Sequence, residues 1–142
     1  MFFENVVYLL NRKNMKLKLL LPLALLFLSS FSVISAQKVQ LNSPEVKEVL
    51  KKNKAIVILD VRTAEEFALG HLKGAKNIDI RQSDAYTKLD KLDPKSTYLV
   101  YCRTNHRSGM AVDYLAQKGF KNLYQMLDGF PGWAANNFAY EK

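Results

Sequence analysis

The run AIVILDV, Ala55 to Val61, is continuously apolar up to its aspartate and rich in branched side chains. A strand that alternates apolar and polar residues has one face in water; a run without alternation is covered on both faces, as in a parallel sheet flanked by helices. Parallel strands cannot be joined by hairpins, so each must be followed by a crossover, usually a helix. This one segment therefore sets a requirement on the rest of the chain: strands must alternate with helical patterns.

They do. Before AIVILDV, Ser43-Pro44-Glu45 starts a helix with an oxygen cap at Ser43, a proline at the first position and an early acid, and Val46, Val49 and Leu50 give it one buried stripe as far as about Lys52. After it, Thr63 caps a short helix through Ala64 to Leu69 that Gly70 ends. Lys76 to Asp79 is a brief strand, and Ser83 to Leu92 has helical spacing in Ala85, Tyr86, Leu89 and Leu92. TYLVY, Thr97 to Tyr101, is a second buried strand; Met110, Ala111, Tyr114 and Leu115 define a helix from Arg107 or Ser108 to Lys118. Asn122 to Met126 is a third strand, and Phe130 to Phe138 a final helix. The expected fold is α/β: a central, mostly parallel sheet of about five strands with helices on both faces. Phe67 and Tyr101 belong to its core by periodicity.

The 142-residue chain has room for one such domain. Its N-terminal part carries a different signal. Leu19 to Phe31 is almost wholly hydrophobic, follows Lys16 and Lys18, and leads to Ile34-Ser35-Ala36, the pattern of a secretory leader cut before Gln37. The apolar stretch falls short of the ~20 residues of a membrane-spanning helix. We therefore divide the chain into a leader, residues 1–36, whose true start is Met15 if the first segment is an extension, and a single domain, residues 37–142. The alternative is an uncleaved leader that anchors the protein to a membrane. Cleavage means a periplasmic or secreted protein, with a polar exit after the cut and no stable membrane span. Four of the 21 basic and one of the 13 acidic residues lie upstream of the cut, leaving 17 against 12, a charge of +5. The lysines are dispersed, so nucleic acid is not the expected partner, and the balance favours small anionic ligands.

The chain has one cysteine, Cys102, directly after TYLVY in the loop YCRTNHRSGMA, Tyr101 to Ala111. One cysteine cannot form an internal disulfide in an oxidising compartment, and with only His71 and His106 beside it there is no metal-ligand spacing. Ligands of open α/β sheets bind beyond the C-terminal ends of the strands, where both Cys102 and Asp60-Val61-Arg62 fall. Thiolate, the reactive form, is favoured by nearby cations and by the amides of a helix N-terminus. Arg103 and Arg107 supply the first and the following helix the second. Cys102 is thus the candidate nucleophile, and Arg103, Thr104, Asn105, His106, Arg107 and Ser108 its anion-binding loop. His106 has no orienting carboxylate nearby in sequence and is read as a loop residue rather than a general base.

Three segments resemble the rhodanese-like (sulfurtransferase) family in order: ILDVRTAEEFALGHLKGAKNI from Ile58 to Ile78, the cysteine loop, and LDGFPGW from Leu127 to Trp133. The resemblance implies a single-domain sulfurtransferase, without cofactor, in which Cys102 takes a sulfane sulfur from thiosulfate or a related donor, holds it as persulfide, and passes it to cyanide or a small or protein thiol. It also implies architectural roles for Asp60 and His71, places Arg62 near the pocket, and makes Trp133 a packing anchor and candidate pocket wall. Relatives often have glycine where this chain has Asn105; asparagine tolerates a left-handed backbone, so the loop is expected to close that way. Two other readings share the cysteine: a non-catalytic binding or redox-sensing module, and a phosphatase or arsenate reductase. Phosphatases related to this fold place one more residue between Cys and Arg than the four found here, so the tighter ring favours sulfur.

Overall fold

β5, Thr97–Tyr101, is the middle of a five-stranded sheet, and its side-chain parity organises the domain. Tyr98, Val100 and, just past the strand, Cys102 pack into one core layer; Leu99 and Tyr101 pack into the layer on the opposite face. The same alternation runs through β2, Val57–Asp60, where Leu59 joins the first layer and Ile58 the second, and through β6, Asn122–Met126, where Leu123 and Met126 divide likewise. All of these come from a computed structural model that describes residues 36–142; the leader up to residue 35 lies outside the described residues.

The strand order is β1-β6-β5-β2-β4, with every pairing parallel. β1 is Gln37–Leu41 and β4 is Lys76–Asn77, both at edges. The helices are α1 (Ser43–Lys52), α2 (Ala64–Leu69), α3 (Ala85–Leu89), α4 (His106–Gln117) and α5 (Gly129–Ala135). Val112 and Leu115 of α4, with Leu89 of α3, fill the layer that contains Cys102; Val46 of α1 and Trp133 of α5 fill the other. Two short strands, β3 (His71–Leu72) and β7 (Tyr140–Glu141), pair antiparallel as a separate ribbon. No helix among the described residues is long and apolar enough to cross a membrane.

The α/β reading and the five-strand count hold, and β5 and β6 have the bounds expected from sequence. Elsewhere the structure moves boundaries for local reasons. β1 occupies what reads in sequence as a polar exit. α1 starts one residue earlier than its expected cap at Ser43: Asn42 takes the cap position, its N–H donating to the Glu45 carboxylate at 2.8 Å, while Ser43 turns inward and donates its hydroxyl to Asp128 at 2.8 Å. α2 has the expected Thr63 cap, completed by Glu66: the Glu66 N–H donates to Thr63 Oγ1 at 3.1 Å and the Thr63 N–H to Glu66 Oε2 at 3.2 Å.

Candidate active site at the end of β5

The peptide after Tyr101 leaves the sheet at its C-terminal edge, and α4 begins four residues beyond Cys102, at His106. The first turn of α4 therefore lies over the sulfur. The Ser108 N–H donates to Cys102 Sγ at 3.4 Å, and the thiol faces the Thr104 carbonyl at 3.3 Å and the Ser108 hydroxyl at 3.6 Å. Of the loop amides expected around the sulfur, that of Ser108 is the one within hydrogen-bonding geometry. Cys102 itself is 1 % exposed, whereas Arg103, Thr104, Asn105 and His106 are all exposed and form the outer wall of the loop. α4 has twelve residues, long enough for its N-terminal dipole to favour negative charge on a sulfur held there.

The two arginines do different things. Arg103 is exposed and has no ion-pair partner among the described residues. Arg107 turns toward α2 and grips Glu66 in a two-pronged pair, Nη1 to Oε2 at 2.6 Å and Nη2 to Oε1 at 2.9 Å. Those hydrogen bonds lower the Glu66 carboxyl to about 2, against a partial burial that works the other way, with the Thr63 N–H adding to the fall. The catalytic loop is thereby tied to the capping box of α2. A depressed carboxyl contributes stability above its unfolded pKa and loses it as pH falls through the folded value. The Glu66–Arg107 pair is partly solvated, so we expect Glu66→Gln to cost about 1 kcal/mol at pH 7. The gap from wild type should close as pH falls from about 4.5 to about 2, measured by urea denaturation across pH.

Arg62 does not reach the loop as a free ligand. Its side chain is 5 % exposed, donates from Nη2 to Asp60 at 2.5 Å and to the Gly70 carbonyl at 2.6 Å, and lies 4.4 Å over the Phe130 ring. Asp60, fully buried, also accepts the Arg62 N–H at 2.9 Å. The pair is a brace between β2 and the end of α2, so the Arg62 guanidinium is held by Asp60 and Gly70 rather than standing free to meet a ligand. His71 likewise braces: Nδ1 is 3.0 Å from the Phe67 carbonyl and the ring stacks on Phe67 at 3.7 Å. Trp133 corrects a second expectation. It belongs to the core layer on the face away from Cys102, with Nε1 donating to the Ala139 carbonyl at 3.0 Å, because α5 packs on the Tyr101 side of the sheet. Asn105 corrects a third: its φ is −118°, so the loop closes without a left-handed residue there.

Two residues that carry no site role in the sequence reading hold the loop. Gln125 in β6 is 6 % exposed; its Nε2 donates to the Asn105 carbonyl at 2.8 Å and to Ser108 Oγ at 3.2 Å, while its Oε1 accepts from Gln40 of β1 at 3.0 Å. A chain of hydrogen bonds thus runs from the sheet edge to the group that touches Sγ. The only hint in sequence is a glutamine on the buried side of NLYQM. The other is Gly129, at φ +59°, where a Cβ would sit 2.4 Å from the Arg103 carbonyl oxygen. Its bareness lets α5 approach, so that the Phe130 N–H donates to the Cys102 carbonyl at 2.9 Å. Gly129→Ala should therefore cost about 2–4 kcal/mol in urea denaturation, combining a strained backbone with overpacking.

Comparison with known proteins agrees with this geometry. Residues 43–136 match the profile of the rhodanese-like domain. The thiosulfate sulfurtransferase GlpE of Pseudomonas putida strain GB-1 is 34 % identical over 92 residues, 65 % of this chain and 82 % of that one. Its namesake from Coxiella burnetii is 31 % identical over 98 residues, 69 % of this chain and 89 % of that one. Among solved structures, a rhodanese-related protein from Thermoplasma volcanium superposes with a TM-score of 0.63 at 27 % identity, over 72 % of this chain and 97 % of the other. The polysulfide-sulfur transferase homodimer of Wolinella succinogenes gives 0.62 at 28 % identity, over 73 % and 78 %. The matched span begins at the first residue of α1 and ends just beyond α5, taking in the strand, loop and helix that hold Cys102, and so the chain belongs to the rhodanese-like domain family.

Proposed function

We propose that this rhodanese-type sulfurtransferase moves a sulfane sulfur from thiosulfate, or a donor like it, to cyanide or a thiol through a persulfide on Cys102. The observation that carries the reading is the sulfur's position at the end of β5, with the Ser108 N–H of α4 donating to it. In the first step the Cys102 thiolate attacks the outer sulfur of thiosulfate; the S–S bond of the donor breaks and sulfite leaves with its electron pair. In the second, cyanide attacks the outer sulfur of the persulfide, thiocyanate leaves, and the Cys102 thiolate is restored. A thiolate acceptor follows the same path and leaves as a persulfide. Both steps bring an anion to an anion. The α4 N-terminus and the unpaired Arg103 at the mouth favour that approach, and the Ser108 N–H is already in place for the charged sulfur.

Gln125 acts in this scheme as a positioning residue. We expect Gln125→Leu to lower kcat about tenfold with KM for thiosulfate nearly unchanged, because Ser108 and the Asn105 carbonyl lose their shared donor while Arg103 stays at the mouth. Steady-state kinetics check this; an effect on KM alone would remove the role.

The physiological donor is tested by a panel of thiosulfate, 3-mercaptopyruvate and glutathione persulfide with Cys102→Ala as blank. Faster turnover with 3-mercaptopyruvate than with thiosulfate would change the donor in the proposal. Export completes it: the leader pattern supports a periplasmic or secreted enzyme acting on small sulfur anions and thiols, and a cut before Gln37 would leave β1 whole. N-terminal sequencing of the protein recovered from cells is expected to begin at Gln37, and a chain beginning at Met1 or Met15 would overturn export by cleavage.

A further inference from the structure

Strands inside a parallel sheet are normally covered on both faces. Ile58 of β2 is not fully covered: it is an inner strand's residue on the α1 and α5 side, yet it stays partly exposed. The helices on that face leave a gap above it, a groove of about 440 Å³ whose floor is Ile58, Leu50, Leu72 and Trp133. That volume falls within the roughly 300–1,000 Å³ typical of small-molecule sites. The rim has one sign of charge. Lys47 and Lys51 stand one helical turn apart on α1, Lys54 lies in the turn before β2, Lys73 follows β3, and no carboxylate among the described residues lines the groove. Lys47 rests 4.0 Å over the Phe138 ring, and none of the four lysines forms an ion pair among the described residues. Cys102 packs in the core layer on the other side of the sheet, so the groove is separate from the sulfur site.

We propose that this groove is a second binding site, for a small amphipathic organic anion with one apolar body and one carboxylate or sulfonate group. The body covers the partly exposed side chains of Leu50 and Ile58 beside the buried Trp133 ring, and the anionic group meets the lysine rim. Apolar burial supplies the attraction and the uniform positive charge selects the anion over its neutral counterpart. The inference stands apart from the sulfur-transfer reading and can fail without it.

The chain has a single tryptophan, and it lies in the groove, so intrinsic fluorescence reports on this site. Decanoate, titrated below the concentration at which it aggregates, should change Trp133 emission saturably with one site. Decanol should bind at least about tenfold more weakly. Decanoate affinity should fall as salt is raised and drop at least about tenfold in the Lys51→Glu, Lys54→Glu double variant, whose melting temperature should stay near that of wild type because both positions are exposed. Absence of a saturable signal, equal affinity for decanol, or a salt-independent affinity in the wild type would overturn the proposal. Tighter displacement by polyglutamate than by decanoate would also overturn it, in favour of an acidic protein partner.

Discussion

Cys102→Ser is expected to lose sulfur transfer by roughly a thousandfold or more while keeping the fold. The substitution removes one sulfur atom from a site where Sγ has three polar neighbours, the Ser108 N–H, the Ser108 hydroxyl and the Thr104 carbonyl, each of which a serine hydroxyl can also engage. Packing and hydrogen bonding are therefore nearly conserved. The chemistry is not: a hydroxyl at neutral pH is a poor nucleophile toward sulfur and has no equivalent of the persulfide. Thiosulfate-to-cyanide turnover measured with melting temperature separates the two effects. Loss of turnover with a melting temperature close to wild type is the expected pair of results; turnover retained within tenfold would place the nucleophile elsewhere.

The largest expected effect on stability is at Asp60. Its carboxylate is fully buried and accepts from the Arg62 backbone, Nε and Nη2, so Asp60→Ala leaves a guanidinium that is 5 % exposed without its counter-charge. Removing one partner of a buried pair costs about 3–5 kcal/mol, and in a domain of this size that is a fall in melting temperature of roughly 15 °C. Tyr101, whose hydroxyl accepts the Leu72 N–H at 3.0 Å, borders the same cluster; burial, and then the Asp60 charge, push its hydroxyl well above the ordinary tyrosine range. A double variant, Asp60→Leu with Arg62→Met, should recover part of the loss, since it leaves no buried charge unpaired while the Arg62 N–H and the Gly70 carbonyl still lose their partners. If Asp60→Ala melted within a few degrees of wild type, the brace between β2 and α2 would not be structural.

Much of this was legible in sequence where burial and local chemistry agree. Thr97–Tyr101 appears with the bounds read from its apolar run because a strand covered on both faces is apolar along its length, and Asn122–Met126 also keeps its expected bounds. Thr63 and Glu66 spell a capping box, and a cap depends only on neighbours three residues apart. What escaped was tertiary. β1 is an edge strand whose inward residues alternate with Lys38 and Gln40, so its pattern resembles a polar linker. β3 and β7 are two residues each, too short for any period.

The site divides the same way. Cys102, its loop and the following helix were readable because they are contiguous. The resemblance of LDGFPGW makes Trp133 both a packing anchor and a candidate pocket wall, but facing is fixed by which side of the sheet α5 packs on, and that side is the one Tyr101 faces. Gln125 acts on residues 17 and 20 positions away through a register that no local pattern states.

The central claim is that Cys102 carries the transferred sulfur. Intact-mass measurement after incubation with thiosulfate, followed by treatment with cyanide, tests it most directly. The expected result is a gain of one sulfur on the wild type, its removal by cyanide with release of thiocyanate, and no gain on Cys102→Ser. The gain must be resolved from that of two oxygens, which thiol oxidation would add and cyanide would not reverse. A wild-type protein that turns over thiosulfate but never shows a cyanide-reversible sulfur adduct would contradict the account.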